Sequence, residues 1–155
     1  MVVLYKNMNK IMRKILSVFV LLSLTSFVAD EPQKISWEIL KDVTFKKKWY
    51  EKESIFMLFP TFGPNVKKVE NKTVLIKGYM VPVDPESNQY VLSAYPYSMC
   101  FFCGGAGPES VMGLKLKKNR KFKTDEIHMF KGTLELNVND IYELNYILTD
   151  AEVVD

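Results

Sequence analysis

The clearest β pattern in the chain is the run Thr73-Val74-Leu75-Ile76-Lys77-Gly78-Tyr79-Met80-Val81-Pro82. Every second residue from Val74 to Met80 is apolar or is glycine, and the charged Lys77 occupies a position between them. Strict alternation of this kind predicts a β-strand that turns one face toward a core. We expect Pro82 to end the strand, because proline has no N–H group to donate to a neighbouring strand.

Further segments carry the same alternation, with turn-forming residues between them. They are Gln89–Ala94, Met112–Leu116, Ile127–Asn137 and Tyr142–Leu148. Five strands with short connections predict a small, mainly β domain, specifically a five-stranded OB-like barrel. Its expected core consists of Val74, Ile76, Leu114, Leu134, Leu136, Leu144 and Leu148.

The residues before this pattern are less regular. Ile35–Leu40 has apolar residues at helical spacing, and Ser36 is a candidate N-cap, so we expect short N-terminal helical segments. Phe45–Phe59 mixes three consecutive lysines with aromatic residues and predicts neither a helix nor a strand.

The first 29 residues are typical of a secretory signal peptide or an N-terminal membrane anchor. Lys6, Lys10, Arg13 and Lys14 precede the uncharged apolar run Ile15–Val28, and Ala29 follows it. That run is shorter than the roughly 20 residues that span a bilayer. We therefore divide the chain into residues 1–29 and a single OB-like domain, residues 30–155. The protein is expected to be exported, and to be either periplasmic or attached to the inner membrane by an uncleaved signal.

The net charge of +3 comes from this N-terminal segment. Residues 30–155 carry 17 basic and 18 acidic side chains, which gives no electrostatic argument for nucleic-acid binding. The basic residues of Lys115–Lys123 are interpreted as a solvated strand and turn surface. Membrane contact is expected only through the N-terminal segment.

Both cysteines lie in the motif Cys100-Phe-Phe-Cys103, inside a loop at residues 98–110. The run Gly104-Gly105-Ala106-Gly107-Pro108 follows and disfavours regular structure. Three chemistries fit two thiols at this spacing: a metal site, a redox dithiol, and a disulfide or thiol pair that stiffens the loop. Redox pairs of the thioredoxin type open a helix, whereas glycines follow Cys103 here.

A metal site would need ligands besides the two thiolates. Glu109 follows Cys103 closely and could contribute an oxygen ligand, while Met99 or Met112 could contribute a thioether and favour copper(I). The expected metal site is therefore Cys100, Cys103 and Glu109, with a transition metal such as zinc or copper. His128, the single histidine, is interpreted as an edge or surface residue. The sequence contains no recognisable nucleophile–base arrangement, so we expect a protein without catalytic activity.

Several of these segments together resemble a known family. They are Val74-x-Ile76-x-Gly78-Tyr79-Met80-Val81-Pro82, Tyr90-Val91-Leu92-Ser93, the loop Cys100–Ser110, and Gly132-x-Leu134-x-Leu136-Asn137. Over Trp37–Ala151 the chain resembles the exported bacterial family catalogued as domain of unknown function 3299. The resemblance implies an OB-like fold. Some relatives are encoded beside transporter components, which implies metal or small-solute handling at the envelope.

Other branches of that family carry Cys-x-His where this chain has Cys100-Phe101-Phe102. The resemblance implies that Cys100 is matched and that Cys103 takes over the role of the histidine. Exchange of histidine for cysteine is easier to explain for a metal ligand than for a disulfide. Two functional hypotheses follow: a non-catalytic metal-binding or transporter-accessory domain, and a structural or protein-interaction module with a disulfide. A thiol redox protein is a third.

Overall fold

The computed structural model describes residues 31–154. In chain order this part contains β1 (Gln33–Lys34), α1 (Trp37–Leu40), β2 (Val43–Tyr50), β3 (Ile55–Phe62), α2 (Pro64–Lys67), β4 (Thr73–Asp84), β5 (Gln89–Ser93), β6 (Val111–Leu116), β7 (Ile127–Leu136) and β8 (Tyr146–Val153). Three 3₁₀ turns, Tyr97–Met99, Phe101–Cys103 and Pro108–Ser110, lie between β5 and β6. The predicted export segment lies outside the described residues. Within residues 31–154, no helix is long and apolar enough to cross a membrane.

Five of the strands form a closed barrel. β4, β5, β6, β8 and β7 are neighbours in that order, and β7 pairs again with β4. The β6–β8 pair is parallel, and the other barrel pairs are antiparallel. This is the Greek-key connectivity of an OB-like barrel. The predicted fold class is therefore confirmed.

Strand β4 closes the barrel because it pairs with two strands in succession. Its first half, from Thr73 to Tyr79, pairs with β7, and the half from Tyr79 to Asp84 pairs with β5. At the changeover, a Cβ atom on Gly78 would lie 2.6 Å from the carbonyl oxygen of Ser93. Glycine is needed there because the backbones approach too closely for any side chain.

The alternation that predicted the strands also defines the core. Val74, Ile76, Leu134 and Leu148 are fully buried and Leu114 is nearly so, as expected. Leu136 is partly buried and packs against this cluster. The largest fully buried side chains are Tyr146 and Phe130. The predicted core is thus confirmed, apart from Leu144.

Leu144 lies outside the barrel, and the expectation that it belongs to the core is wrong. It packs on Val81, Val91 and Val111, which occupy the outward positions of β4, β5 and β6. The last strand begins at Tyr146 because Asn137 holds the preceding segment in a loop. Its side-chain amide donates to the carbonyl oxygens of Asp140, Glu143 and Leu144 at 2.6, 3.2 and 3.3 Å.

The N-terminal elements cover one end of the barrel. Leu40 of α1 and Val66 of α2 are fully buried against the core. The Tyr146 hydroxyl donates to the Leu40 carbonyl oxygen at 2.6 Å, and the Trp37 indole donates to the Lys77 carbonyl oxygen at 2.8 Å. Ser36 occupies the N-cap position of α1, as predicted, but its side chain makes no capping hydrogen bond.

The unassigned segment Phe45–Phe59 belongs to a β-hairpin. β2 and β3 pair only with each other in the described structure, in register from Val43↔Phe62 to Tyr50↔Ile55. Trp49 and Phe56 face each other across the hairpin with ring centroids 5.0 Å apart. Cross-strand aromatic pairs of this kind stabilise hairpins, a signal that the lysine run obscured in the sequence.

Leu134→Ala should lower the free energy of unfolding by about 2–5 kcal/mol, because it removes a fully buried side chain. Leu58→Ala is the control, since Leu58 is 52% exposed and its truncation should cost no more than about 0.5 kcal/mol. Urea unfolding followed by circular dichroism measures both variants. Equal losses would contradict the assignment of the core.

Tyr146→Phe tests the attachment of α1 to the barrel. Burial raises the pKa of Tyr146 well above its usual value, so the hydroxyl stays protonated and remains a donor. Its removal leaves the Leu40 carbonyl oxygen unpaired, and we expect a loss of about 1–3 kcal/mol in unfolding free energy. Tyr142→Phe is the matched control: Tyr142 donates to Glu53 but is 73% exposed, so the loss should be close to zero.

Candidate functional site

The cysteine loop is built from consecutive 3₁₀ turns that fold back on one carbonyl group. The carbonyl oxygen of Cys100 accepts from the N–H of Cys103 at 3.1 Å and from that of Gly105 at 3.2 Å. Gly104 between them has a φ of 74°, in the left-handed region that favours glycine. A Cβ atom on Gly105 would lie 2.6 Å from the carbonyl oxygen of Met99. The two glycines therefore permit the tight return of the chain past Cys100.

The loop is attached to the barrel at several points. Phe101 packs against the outward-facing cluster of Val81, Val91 and Val111. The N–H of Tyr97 donates to the Asp125 carboxylate at 2.7 Å. These contacts place the cysteine pair on the outside of the barrel with limited freedom to rearrange.

The two thiols differ in environment. Cys100 is fully buried, whereas Cys103 is exposed, and both are free thiols. Partial desolvation, the nearby charge of Cys100 and a hydrogen bond between the two side chains raise the pKa of Cys103. At neutral pH Cys103 is therefore held in the thiol form, and a positively charged or metal partner would be needed to stabilise its thiolate.

Glu109, the third predicted ligand, lies beside a small cavity. Glu109 lines a small cavity with Trp37, Lys41 and Tyr95. Within residues 31–154, no three His, Cys, Asp or Glu side chains come together as a possible metal site. The assignment of Glu109 as a ligand beside Cys100 and Cys103 stays a prediction.

The two methionines differ in access. Met99 precedes Cys100 and is 57% exposed, so its thioether is accessible from solvent. Met112 is fully buried within the barrel core, on the inward side of β6, and is not available to the loop. Of the two thioethers considered from sequence, only that of Met99 remains a candidate.

His128 lies near the start of β7. It pairs with Gly78 of β4, and the pairing of β7 with β8 begins two residues further along, at Phe130. Its side chain is 15% exposed, and its Nε2 lies 3.4 Å from a Glu126 carboxylate oxygen. The ring packs edge-on to Phe122 at 5.3 Å between centroids. These contacts account for His128 without a metal.

Beside the loop, a groove of about 490 Å³ runs along the outer face of β5 and β6. Phe102 from the loop and Tyr142 from the β7–β8 connection line it, and both are exposed. Lys115 and Glu143, also lining residues, form an ion pair at 3.1 Å. The sequence did not reveal this groove because its walls come from segments far apart in the chain.

No family model and no curated protein matches the sequence. A similar solved structure is the crystal structure of a DUF3299 family protein from Pseudomonas aeruginosa PAO1, with a TM-score of 0.51 and 13% sequence identity. The match covers 81% of this chain and 98% of that chain. At this identity the likeness is evidence for the fold. The chain has the fold of a DUF3299 family protein, in agreement with the resemblance found in its sequence motifs.

Proposed function

We propose that this protein is an exported envelope protein without catalytic activity, in which the barrel presents Cys100 and Cys103 to a thiophilic metal ion. It acts as a metal-binding or transporter-accessory domain. The observation that carries the proposal is the pair of free thiols, one buried and one exposed, in a tightly turned loop attached to the barrel. A loop already held in place loses little conformational entropy on binding.

The ligand set favours copper(I) over zinc. Structural zinc takes four ligands, and the described residues bring no carboxylate or imidazole to the thiols. Soft thiolate and thioether ligands select copper(I), and the exposed Met99 adjoins Cys100. Zinc would require ligands from Glu109 after a loop rearrangement, or from a partner such as an envelope transporter component.

The redox alternative has less support. A reactive dithiol needs a thiol pKa below its usual value, whereas that of Cys103 is raised. The structural alternative, an interaction module with a disulfide, is favoured by a different observation. Tyr97, Met99 and Phe102 are exposed around the cysteines, and they form an apolar surface that a protein partner could contact.

Titration of the reduced, full-length protein with copper(I), in competition with a chromogenic chelator, should show tight binding near one equivalent. Protons should be released on binding, because thiols must ionise to coordinate the metal. Cys103→Ser should abolish most binding without loss of stability, since this residue is exposed. Cys100→Ser should do the same, with its fold checked by circular dichroism.

Further variants identify the remaining ligands. Met99→Leu should weaken copper(I) binding about tenfold or more, whereas Met57→Leu in β3 is the control and should leave it unchanged. Glu109→Gln should weaken binding only if this carboxylate completes the coordination shell. Binding to Cys103→Ser as tight as to the parent, or no binding to the parent, would overturn the proposal. If oxidation instead stabilises the parent alone, by about 2 kcal/mol or less, the disulfide alternative is correct.

Export is tested separately. A reporter fused after Gln33 should be exported in a bacterial host, because four basic residues precede the apolar run Ile15–Val28. Mass spectrometry of the protein N-terminus shows whether cleavage occurs after Ala29. A control fusion that lacks residues 1–29 should remain in the cytosol, and retention of both fusions would contradict the proposed localisation.

A further inference from the structure

The hairpin of β2 and β3 has an apolar face that the barrel covers only at its base. Cross-strand pairing places Val43, Phe45, Lys47 and Trp49 of β2 on the same face as Phe56, Leu58, Pro60 and Phe62 of β3. At the base, Phe62 is buried against Tyr146, with ring centroids 5.4 Å apart. The outer half of the face, formed by Trp49, Phe56 and Leu58, is more than half exposed, although Leu58 also borders a small cavity beside residues 138–145 of the β7–β8 connection.

These three residues, which we call the apolar hairpin face, are unusually accessible. Trp49 is 51% exposed, Phe56 is 61% exposed and Leu58 is 52% exposed. Trp49 and Phe56 are in edge-to-face contact, so the face is a continuous surface and not a set of isolated side chains. Adjacent exposed apolar side chains with polar neighbours mark a surface that contacts a membrane or another protein.

The charge around the apolar hairpin face favours a membrane over another protein as its partner. The hairpin, residues 43–62, has four lysines and two glutamates, whereas the rest of residues 30–155 has 13 basic and 16 acidic side chains. Lys47 and Lys48 lie over the rings of Phe56 and Phe59, with the ammonium nitrogen 4.9 and 5.5 Å from the ring centroid. On the barrel, by comparison, Lys115 pairs with Glu143, and Lys117 and Lys131 pair with Glu152. The hairpin thus combines tryptophan, phenylalanine and lysine, which favours the interface of an anionic bilayer.

The position of the hairpin relative to the start of the described chain also favours a membrane. Gln33 in β1 pairs beside Val74, at the end of the barrel where β4 begins. Val74 pairs with Gly132 of β7, and Tyr146, on which the hairpin base packs, pairs with Leu136, four residues further toward this end of the barrel. The chain therefore enters the described structure at the same end of the barrel, a few residues after the apolar run Ile15–Val28.

We propose that the apolar hairpin face and the lysines of β2 bind the surface of an anionic lipid bilayer, as a membrane contact additional to the N-terminal segment. Trp49, Phe56 and Leu58 enter the interfacial region, and Lys47, which shares their face, moves from the Phe56 ring to lipid phosphates. Lys46 and Lys48 lie on the opposite face of the hairpin, and their long side chains reach the phosphates past its edge. The proposal does not involve the cysteines, so it stands or fails independently of metal binding.

Flotation of the full-length protein with vesicles tests whether the lysines of β2 contribute to membrane binding. The vesicles contain phosphatidylcholine, with or without about one-third phosphatidylglycerol. Reversal of Lys46, Lys47 and Lys48 to Glu should weaken binding to the anionic vesicles by about tenfold or more. Reversal of Lys118, Arg120 and Lys121 to Glu is the matched control, because it changes the net charge equally in an exposed turn on another part of the barrel. Equal loss in both variants would overturn the proposal.

The apolar side chains are tested in the same assay. Phe56→Ser combined with Leu58→Ser should weaken binding at least about fivefold. Val83→Ser combined with Ile127→Ser is the control, because both residues are similarly exposed, and it should change binding by less than about twofold. If Phe56→Ser with Leu58→Ser instead abolishes self-association in the absence of lipid, the face binds a second copy of the chain and the proposal is wrong.

Trp49 reports directly on insertion, because Trp37→Phe leaves it as the single tryptophan. In this variant, anionic vesicles should shift the Trp49 emission to shorter wavelength, and lipids brominated near the headgroup should quench it. Should Trp37→Phe fail to fold, the flotation comparisons above still decide the matter with Trp37 intact. Vesicle binding without any change in Trp49 emission would show that the hairpin remains in water, and would overturn the proposal.

Discussion

The changeover of partners along β4 is the constraint on which the barrel depends. A five-stranded sheet closes only if its first and last strands also pair, and here β4 pairs with β7 as well as with β5. Tyr79 lies at the changeover, since it pairs with Ser93 on one side and Ile127 on the other. The adjacent Gly78 has no room for a side chain. Gly132, opposite Val74 in the same ladder, is similarly confined, since a Cβ atom there would lie 2.7 Å from the Thr149 carbonyl oxygen. Both glycines allow backbones to approach closely enough for the barrel to close.

Closure determines what lies outside the barrel as well as inside. Once the inward positions are filled, Val81, Val91 and Val111 must face outward, where they would expose a patch of apolar surface. Phe101 and Leu144 cover this patch, and Phe101 carries the cysteine loop with it. The burial of Cys100 and the exposure of Cys103 are therefore consequences of how the loop covers the barrel wall. A ligand bound by the two thiols would be held from one side by the fold and would remain accessible from the other.

The hairpin, unlike the outer patch of the barrel, keeps much of its apolar surface exposed. Its base packs on the barrel through Phe62, whereas its outer half meets the β7–β8 connection, where Tyr142 donates to Glu53 at 2.7 Å and Lys52 lies over the Tyr142 ring. An isolated two-stranded hairpin has little stability of its own. The cross-strand aromatic pair and the lysines over the rings stabilise it locally, at the cost of apolar surface left in water. The cysteine loop and the hairpin are thus separate surfaces with different chemistry.

The sequence by itself determined the five barrel strands, most of the core and the position of the cysteine loop, but not the β2–β3 hairpin. Period-two alternation is a local property, so Val74, Ile76, Leu134 and Leu148 were identifiable without knowledge of their neighbours. Only the tertiary structure decided the parallel pairing of β6 with β8, the place of Leu144 outside the barrel and the burial of Cys100 beside the exposed Cys103. Alternation says which residues share a face, but not which distant segment covers that face. Burial, ligand geometry and exposed surface all depend on which distant segments pack together, and this is decided only when the barrel closes.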